Sequence, residues 1–168
     1  LAQGFEILIN VVEKLQNNNE IGFLFIGRGS QFERMQHIAK ERSITNVLFY
    51  EQIENKQIMS LYKQCHYGIV ILDRRHKTHN IPGKLLSYLY AGLPVFALVN
   101  PNNDLIPFIN KKKVGIATST FEEDQIMNSI LRLTSLTMVD LDIKKRCILI
   151  ANKFFDTKKI ALQIIKNF

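Results

Sequence analysis

Apolar residues recur along the chain in five short runs, and the stretches between the runs carry apolar residues at helical spacing. The runs are Ile21–Ile26, Asn46–Tyr50, Tyr67–Leu72, Val95–Val99 and Val114–Ala117. Most of them are nearly continuous in apolar residues, which is typical of strands covered on both faces of a parallel sheet. The pattern therefore predicts five parallel β-strands.

The stretches between these runs predict helices. Their apolar residues return every three or four positions, which places them on one face of a helix. The clearest stripes are Phe5, Leu8, Ile9, Val12 and Leu15; Phe32, Met35 and Ile38; Ile58, Leu61 and Tyr62; and Leu85, Leu89 and Leu93. After the last run, further helices are predicted over Glu122–Leu136, Asp140–Lys153 and Lys158–Lys166.

Strands that alternate with helices indicate βαβ units, whose crossovers are right-handed. We therefore expect one domain of the α/β class with a doubly wound parallel sheet. Ligands of such sheets bind beyond the carboxyl ends of the strands. This rule selects five candidate binding loops: Gly27–Ser30, Glu51–Asn55, Asp73–Ile81, Asn100–Asp104 and the turn after Ala117.

Composition narrows the class of partner. The chain has 168 residues with 22 Lys and Arg against 15 Asp and Glu, which gives a formal net charge of +7. This balance favours an anionic partner, such as a nucleic acid, an acidic membrane surface or a phosphorylated small molecule. There is no Trp, and most Phe residues fall inside the apolar runs. These features argue against a surface on which nucleic-acid bases stack.

The sequence also argues against several other classes. Cys65 and Cys147 form no CxxC pair, and no cluster of His, Cys and carboxylates has metal-ligand spacing, so we expect no metal site. No segment has the pattern of a signal peptide or the length of a membrane span, and we expect a cytoplasmic protein. The chain opens at Leu1 inside a helical pattern, so we expect a fragment of a longer protein.

The loop after the third run is the most informative candidate. It leads into a helix for which Pro82 suits the first position and Gly92 the position just past the end. Lys84 then lies in the first turn, where the helix dipole disfavours a cation by about 0.3–1 kcal/mol. The arrangement is reasonable if a diphosphate docks on the free N–H groups beside Lys84; the alternative is a solvated lysine. His76 and His79 either contact a sugar or phosphate oxygen or belong to a plain polar loop.

The remaining loops carry weaker signals. Gly27-Arg28-Gly29-Ser30 lets backbone approach a ligand, but it lacks the third glycine of G-x-G-x-x-G and also fits a plain turn. Asn103 or Asp104 is the predicted N-cap of the next helix. Lys111-Lys112-Lys113 is either a solvated charge run or a contact for anionic lipid.

Three segments resemble a known enzyme family in order and spacing. They are Phe23–Gly29 (FLFIGRG), Asn46–Phe49 (NVLF) and Ile81–Val95 (IPGKLLSYLYAGLPV). Together they are similar to the donor-binding, C-terminal half of family 4 retaining glycosyltransferases of the GT-B fold, of the type found in bacterial surface-polysaccharide synthesis. The resemblance implies that residues 1–168 form one Rossmann-like nucleotide-sugar-binding domain, without the N-terminal acceptor-binding domain.

The resemblance also implies which residues meet the donor diphosphate. The helix that follows Pro82 would point its amino terminus at the phosphates, with Gly83, Lys84 and Leu85 as the contacts. Arg28 is a further candidate for the diphosphate, although no motif of the family assigns it.

Other positions are implied for the nucleoside and the sugar. Gln52 and Ile53 would border the base, largely through backbone groups. The family often carries two glutamates eight residues apart, and these positions hold His79 and Ser87 in this chain. His79 is therefore the candidate catalytic residue and, with Asn80, the candidate contact of the donor sugar. Ser87 is the candidate ribose contact.

The function implied is a hexosyltransferase that moves a sugar, with retention, from a UDP- or GDP-linked donor to a polysaccharide or lipid-linked acceptor, as in lipopolysaccharide or capsule synthesis. No metal, other cofactor or nucleic acid is expected, the fragment alone is expected to be inactive, and the inner face of the plasma membrane is the expected neighbourhood. Two alternatives stay open. One is a GT-B-fold UDP-sugar 2-epimerase, and the other is a non-catalytic α/β nucleotide-binding module.

Overall fold

The computed structural model describes residues 3–51, 53–72 and 81–155, in which helices and strands alternate along the chain. The elements are α1 (Gln3–Lys14), β1 (Phe23–Ile26), α2 (Ser30–Glu41), β2 (Val47–Tyr50), α3 (Asn55–Tyr62), β3 (Gly68–Ile71), α4 (Gly83–Tyr90), β4 (Val95–Leu98), α5 (Leu105–Lys112), β5 (Gly115–Thr118), α6 (Glu123–Val139) and α7 (Ile143–Phe154). All five predicted strands are present, close to their predicted bounds.

The predicted helices within the described residues are also confirmed, with some boundaries shifted by one to three residues. The apolar stripes fall on α1 to α4, and the segment predicted from Glu122 is α6. The start predicted at Asp140 is wrong, because Asp140 ends α6 in a non-helical conformation and α7 begins only at Ile143. The helix predicted over Lys158–Lys166 lies outside the described residues.

The strands form two parallel ladders. In the first, β1 pairs with β2, and Phe23 lies opposite Val47. In the second, β4 pairs with β3 on one side and with β5 on the other. Between the described residues of β1 and β3 there is no ladder pairing, so the sheet is divided at that point.

Helices cover the sheet on both faces, which confirms the doubly wound α/β class. Strand β4 is buried along its whole length, and its side chains alternate between two apolar clusters. Phe96 and Leu98 pack with α1 and α6, whereas Val95 and Ala97 pack with α4, α5 and α7. Because successive side chains of a strand point to opposite faces, this one strand anchors both layers.

Helix α4 is fixed to the sheet by a close contact and a specific end. A Cβ atom placed on Gly68 of β3 would lie 2.4 Å from the Tyr88 ring, so only glycine lets α4 approach this closely. At the other end Gly92 has φ +76°, and the N–H groups of Gly92 and Leu93 donate to the carbonyls of Leu89 and Tyr88. This is the Schellman pattern, and it confirms the role predicted for Gly92.

The start of α4 differs from the prediction by one residue. Pro82 has ψ 133°, which is extended, so Pro82 is the N-cap and Gly83 is the first helical residue. At the start of α5, Asn103 and Asp104 are the two predicted N-caps, and each has one feature of a cap. Asp104 occupies the N-cap position, but the carboxamide oxygen that accepts the Leu105 N–H, at 2.9 Å, belongs to the buried Asn103.

Neither a membrane span nor a metal cluster is found in the described part of the chain. None of its helices combines the length and apolarity that crossing a bilayer requires. Nor do three or more His, Cys, Asp or Glu side chains come together there in a way that would hold a metal ion.

Candidate functional site

The amino terminus of α4 is exposed and carries positive charge only. Gly83 and Lys84 are both exposed, the first turn contains no acidic residue, and no side chain of the described residues caps it. Within the described ranges, the Lys84 ammonium forms no ion pair. The unfavourable placement of Lys84 against the helix dipole is therefore not offset by any described carboxylate.

The first three amides of α4 differ in what they offer. The Leu85 N–H donates to the Pro82 carbonyl at 2.9 Å, and the Leu85 side chain is fully buried. For the amides of Gly83 and Lys84 no backbone acceptor exists among the described residues. Of the three α4 residues predicted to contact a diphosphate, Gly83 and Lys84 are thus the two whose amides have no backbone partner among the described residues.

Ser87 lies one turn further along α4, on the side of Gly83. Its hydroxyl donates to the Gly83 carbonyl at 3.3 Å, which occupies its proton and leaves its oxygen lone pairs as acceptors. A ribose hydroxyl would therefore have to donate to Ser87 rather than accept from it. This internal bond was not predicted, and the only signal for it is the spacing of four residues on a helix.

The loop after β1 presents a second exposed cation. The Gly27 N–H donates to the carbonyl of Tyr50 at 3.2 Å, which continues the β1–β2 ladder to the carboxyl ends of both strands. Gly29, with φ +99°, turns the chain into α2. Between them Arg28 is exposed, and its guanidinium has no hydrogen-bond or ion-pair partner among the described residues.

Of the remaining predicted site residues, Ile53 lies within the described residues. Ile53 is half-buried in the segment after β2. Gln52, and the histidines and asparagine of the loop before α4, lie outside the described residues, so the roles of Gln52, His79 and Asn80 stay predictions. The same holds for His76.

Beneath the exposed terminus, α4 rests on an aromatic contact. The ring of Tyr88 meets the ring of Tyr62 edge-on, with centroids 5.0 Å apart. Burial, reinforced by the neighbouring Tyr62 and Cys65, raises the pKa of Tyr88 to about 12. The phenol is therefore neutral at physiological pH, and it supports the helix through packing rather than through charge.

An open groove of about 940 Å³ runs along β5, between α5 and α6. Sequence analysis did not predict it, because the position of β5 at the edge of a ladder depends on strand pairing. The Asn110 carboxamide donates to the Ala117 carbonyl at 3.0 Å and accepts from the Ala117 N–H at 2.9 Å. This side chain occupies the strand edge where another strand would otherwise pair.

Comparison with known proteins agrees with this fold. The family model described as "Glycosyl transferases group 1" matches residues 1–153. The chain therefore belongs to the group 1 glycosyl transferases. No curated protein matches the chain.

Two solved structures share the fold. One is WaaG, a glycosyltransferase involved in lipopolysaccharide biosynthesis, with a TM-score of 0.65 and 17% identity over 89% of this chain. The other is the pneumococcal O-GlcNAc transferase GtfA in complex with UDP and GlcNAc, with a TM-score of 0.68 and 18% identity over 98% of this chain. The chain spans only 39% of WaaG and 32% of GtfA. At these identities the likeness establishes the GT-B type of α/β fold alone.

Proposed function

We propose that this chain is the donor-binding domain of a retaining glycosyltransferase, and that it holds a nucleoside diphosphate sugar at the amino terminus of α4. The observation that supports the proposal most directly is the uncapped first turn of α4. It offers the Gly83 and Lys84 amides and the Lys84 ammonium without a described acid beside them. An anion at this position would satisfy the amides and remove the conflict between Lys84 and the helix dipole.

The same groups have a role in the transfer step. When the bond from the sugar to the diphosphate breaks, negative charge develops on the leaving phosphate. The dipoles of α4 and the Lys84 ammonium are already oriented, so they stabilise that charge without reorganisation. In this proposal the protein supplies the positive charge, and no metal ion is needed. His79 and Asn80 remain the proposed contacts of the donor sugar.

The identity of donor and acceptor is proposed by analogy. GtfA is described with UDP and GlcNAc, so UDP-GlcNAc is the first donor to test, followed by GDP-linked sugars. WaaG is involved in lipopolysaccharide biosynthesis, which makes a polysaccharide or lipid-linked acceptor at the inner face of the plasma membrane our proposal for this chain. The acceptor would be held by a domain beyond this chain, so the chain alone should bind donor without transferring sugar.

The diphosphate site is tested by thermal unfolding with nucleotides. UDP or GDP should raise the Tm more than the matching monophosphate, because ligand binding to the folded state stabilises it. Replacement of a charged hydrogen-bond donor costs roughly 1.5–3 kcal/mol, so Lys84→Ala should weaken diphosphate binding about tenfold or more. Lys40→Ala, which removes an exposed lysine near the carboxyl end of α2, is the matched control and should bind normally.

Two results would contradict the proposal. One is an unchanged affinity of Lys84→Ala for UDP or GDP, which would show that the diphosphate does not bind at the amino terminus of α4. The other is a Tm shift by UDP that disappears in EDTA and returns with Mg²⁺, which would make a metal ion part of the site.

A second candidate is a nucleotide-binding module without catalysis. It is favoured by Ser87, which stands on α4 where the family often carries a glutamate. Ser87 offers no carboxylate, and its hydroxyl proton is used in the hydrogen bond to Gly83. Assaying a protein that contains both halves of the enzyme separates the two. Donor binding without glycosyl transfer would support the non-catalytic module.

A further inference from the structure

The turn between α6 and α7 exposes an unusual amount of apolar surface. Met138, Val139 and Leu141 are 60%, 76% and 86% exposed, and Leu149 on the outer side of α7 is 66% exposed. The inner sides of both helices are filled by other residues, which leaves these four outside the core. We call Met138, Val139 and Leu141 the apolar tip. Clustered exposed apolar residues of this kind mark contact surfaces rather than ordinary solvated surface.

Lysines from the end of α5 and the start of α7 accompany the apolar tip. The carboxyl end of α5 is held next to the turn, because Arg146 donates to the Lys113 carbonyl at 2.9 Å and also pairs with Asp140. Lys113 is thereby held at the turn, where it lines one groove together with Val139 and Asp140. The exposed Lys111 precedes Lys113 by two residues at the end of α5, and α7 contributes the exposed Lys144 at its start.

The local charge is positive after the acids are accounted for. Asp140 is bound by Arg146, and Asp142 lies 3.7 Å from Lys145. Of the described carboxylates, none pairs with Lys111, Lys113 or Lys144. The apolar tip and these three lysines together form what we call the turn surface.

We propose that the turn surface docks on an anionic lipid bilayer, with Val139 and Leu141 inserted at the boundary of headgroups and acyl chains and the three lysines against the headgroups. Apolar side chains combined with cations are the chemistry that holds a protein in an anionic membrane interface. Protein interfaces are depleted in lysine, and the turn surface has no aromatic residue on which a nucleic-acid base could stack. A bilayer is therefore the occupant that fits both components.

The position of the turn surface is compatible with the proposed enzyme but does not depend on it. Lys113 precedes β5, so the turn surface lies at the amino end of that strand. The amino terminus of α4 follows the carboxyl end of β3, at the other edge of the parallel ladder. A docked chain would thus keep its candidate nucleotide site away from the bilayer.

Vesicle flotation of the 168-residue chain tests the proposal. The chain should float with vesicles of phosphatidylcholine containing about a third phosphatidylglycerol, and not with phosphatidylcholine alone. Binding should weaken as salt is raised. Val139→Ser with Leu141→Ser should weaken it about tenfold, from the lost apolar burial. Lys111→Gln and Lys144→Gln should each weaken it about fivefold.

Matched controls use residues of similar exposure elsewhere. Leu48→Ser, at a side chain that is 60% exposed on β2, and Lys63→Gln, at an exposed lysine after α3, should bind vesicles like the unaltered chain. All variants should keep the Tm shift produced by UDP or GDP, if the unaltered chain has one. A variant that loses vesicle binding but keeps the Tm shift with nucleotide therefore tests the turn surface separately from the nucleotide site.

A spectroscopic readout tests insertion directly. The chain has no Trp, so the emission of a Leu141→Trp variant reports on the apolar tip alone, and it should shift to the blue with anionic vesicles. Equal binding to neutral vesicles, unchanged binding in Val139→Ser with Leu141→Ser, or no blue shift would each overturn the proposal. The proposal would also be overturned if the unaltered chain forms a dimer in solution, does not bind vesicles, and loses the dimer in the double serine variant. The apolar tip would then be the contact between two copies of the chain.

Discussion

At the scale of single residues, α4 separates support from ligand binding along one short helix. Leu85 and Tyr88 face inward and fix the helix on β3 and β4, whereas Gly83 and Lys84 lie at its exposed end. The helix can present its first turn to a ligand only because its other side is tightly held. The closest of the holding contacts is between the Tyr88 ring and Gly68, and it is possible because glycine has no Cβ atom.

Gly68→Ala should destabilise the fold. The new Cβ would lie 2.4 Å from the Tyr88 ring, so α4 or the ring would have to move, and overpacking of this kind costs about 1–3 kcal/mol. Urea unfolding followed by circular dichroism measures the loss. Gly22→Ala is the control, because its nearest neighbour would be the Asn46 carbonyl oxygen at an ordinary 3.9 Å.

A double-mutant cycle identifies the cause of that loss. If the clash with Tyr88 is responsible, Gly68→Ala should cost much less in a Tyr88→Ala background than in the unaltered chain. Equal costs in the two backgrounds would mean that the glycine matters for another reason, such as the conformation of β3.

At the scale of elements, the layers are held together by buried groups that resist ionisation. Tyr88 joins α4 to β3, and Cys147 joins α7 to the start of β5, where its thiol contacts the Val114 carbonyl at 3.8 Å. Burial raises the pKa of each of these two groups to about 12. Both must stay neutral for the layers to remain packed.

Stability should therefore fall in alkali. The unfolded chain releases the tyrosine and cysteine protons near their ordinary pKa values of 10.0 and 9.0, well before the folded chain does. The folded state thus binds more protons between about pH 9 and pH 12, and the free energy of unfolding must decline there. The rise in the pKa of Tyr88 from 10.0 to about 12 corresponds to a loss of about 2–3 kcal/mol in the free energy of unfolding across this pH range.

Urea unfolding at several pH values measures this decline. Tyr88→Phe should make the loss between pH 10 and pH 12 shallower, whereas Tyr50→Phe, at a tyrosine that is 55% exposed, should not. Identical slopes for Tyr88→Phe and the unaltered chain would show that this phenol does not contribute.

The elements also show which parts of the structure a sequence can predict. The strands are recognisable because burial on both faces demands continuous apolar residues, and the end of α4 because the turn after it requires a positive φ at Gly92. The start of α4 was missed by one residue, since the fixed φ of Pro82 suits both the N-cap and the first helical position, and the deciding ψ is not set by the proline ring. The pattern wrongly predicts Asp140 inside α7, because local sequence does not reveal which charged residue ends α6.

The candidate site divides in the same way. The exposed, acid-free position of Lys84 follows from local sequence and was predicted. The hydrogen bond from Ser87 to Gly83 is local to α4, and the spacing of four residues permits it without requiring it. The cover that Asn110 gives to β5 and the meeting of Lys113 with the α6–α7 turn depend instead on how the chain packs. Contacts set by packing carry no periodic signal, so no pattern along the chain indicates these two.

At the scale of the whole molecule, the two ladders differ in how well they are covered. Strand β4 has a partner on each side and is buried at every residue. In the other ladder, β2 alternates between half-buried and exposed residues, with Leu48 and Tyr50 more than half exposed. One cluster of apolar residues still joins the ladders, because Phe23 and Phe96 belong to it. The molecule therefore has a common core with one strongly and one weakly protected ladder.

This difference predicts two levels of hydrogen exchange. The amides of β4 should exchange only when the whole chain unfolds, because neither neighbouring strand can leave without opening both apolar layers. The amides of β2 should exchange at least about thirtyfold faster, which corresponds to about 2 kcal/mol less opening free energy. Mass spectrometry of peptides covering Val47–Tyr50 and Val95–Leu98, in increasing urea, measures both. A single exchange free energy for the two peptides would mean that the ladders open together and that the division between β1 and β3 has no energetic consequence.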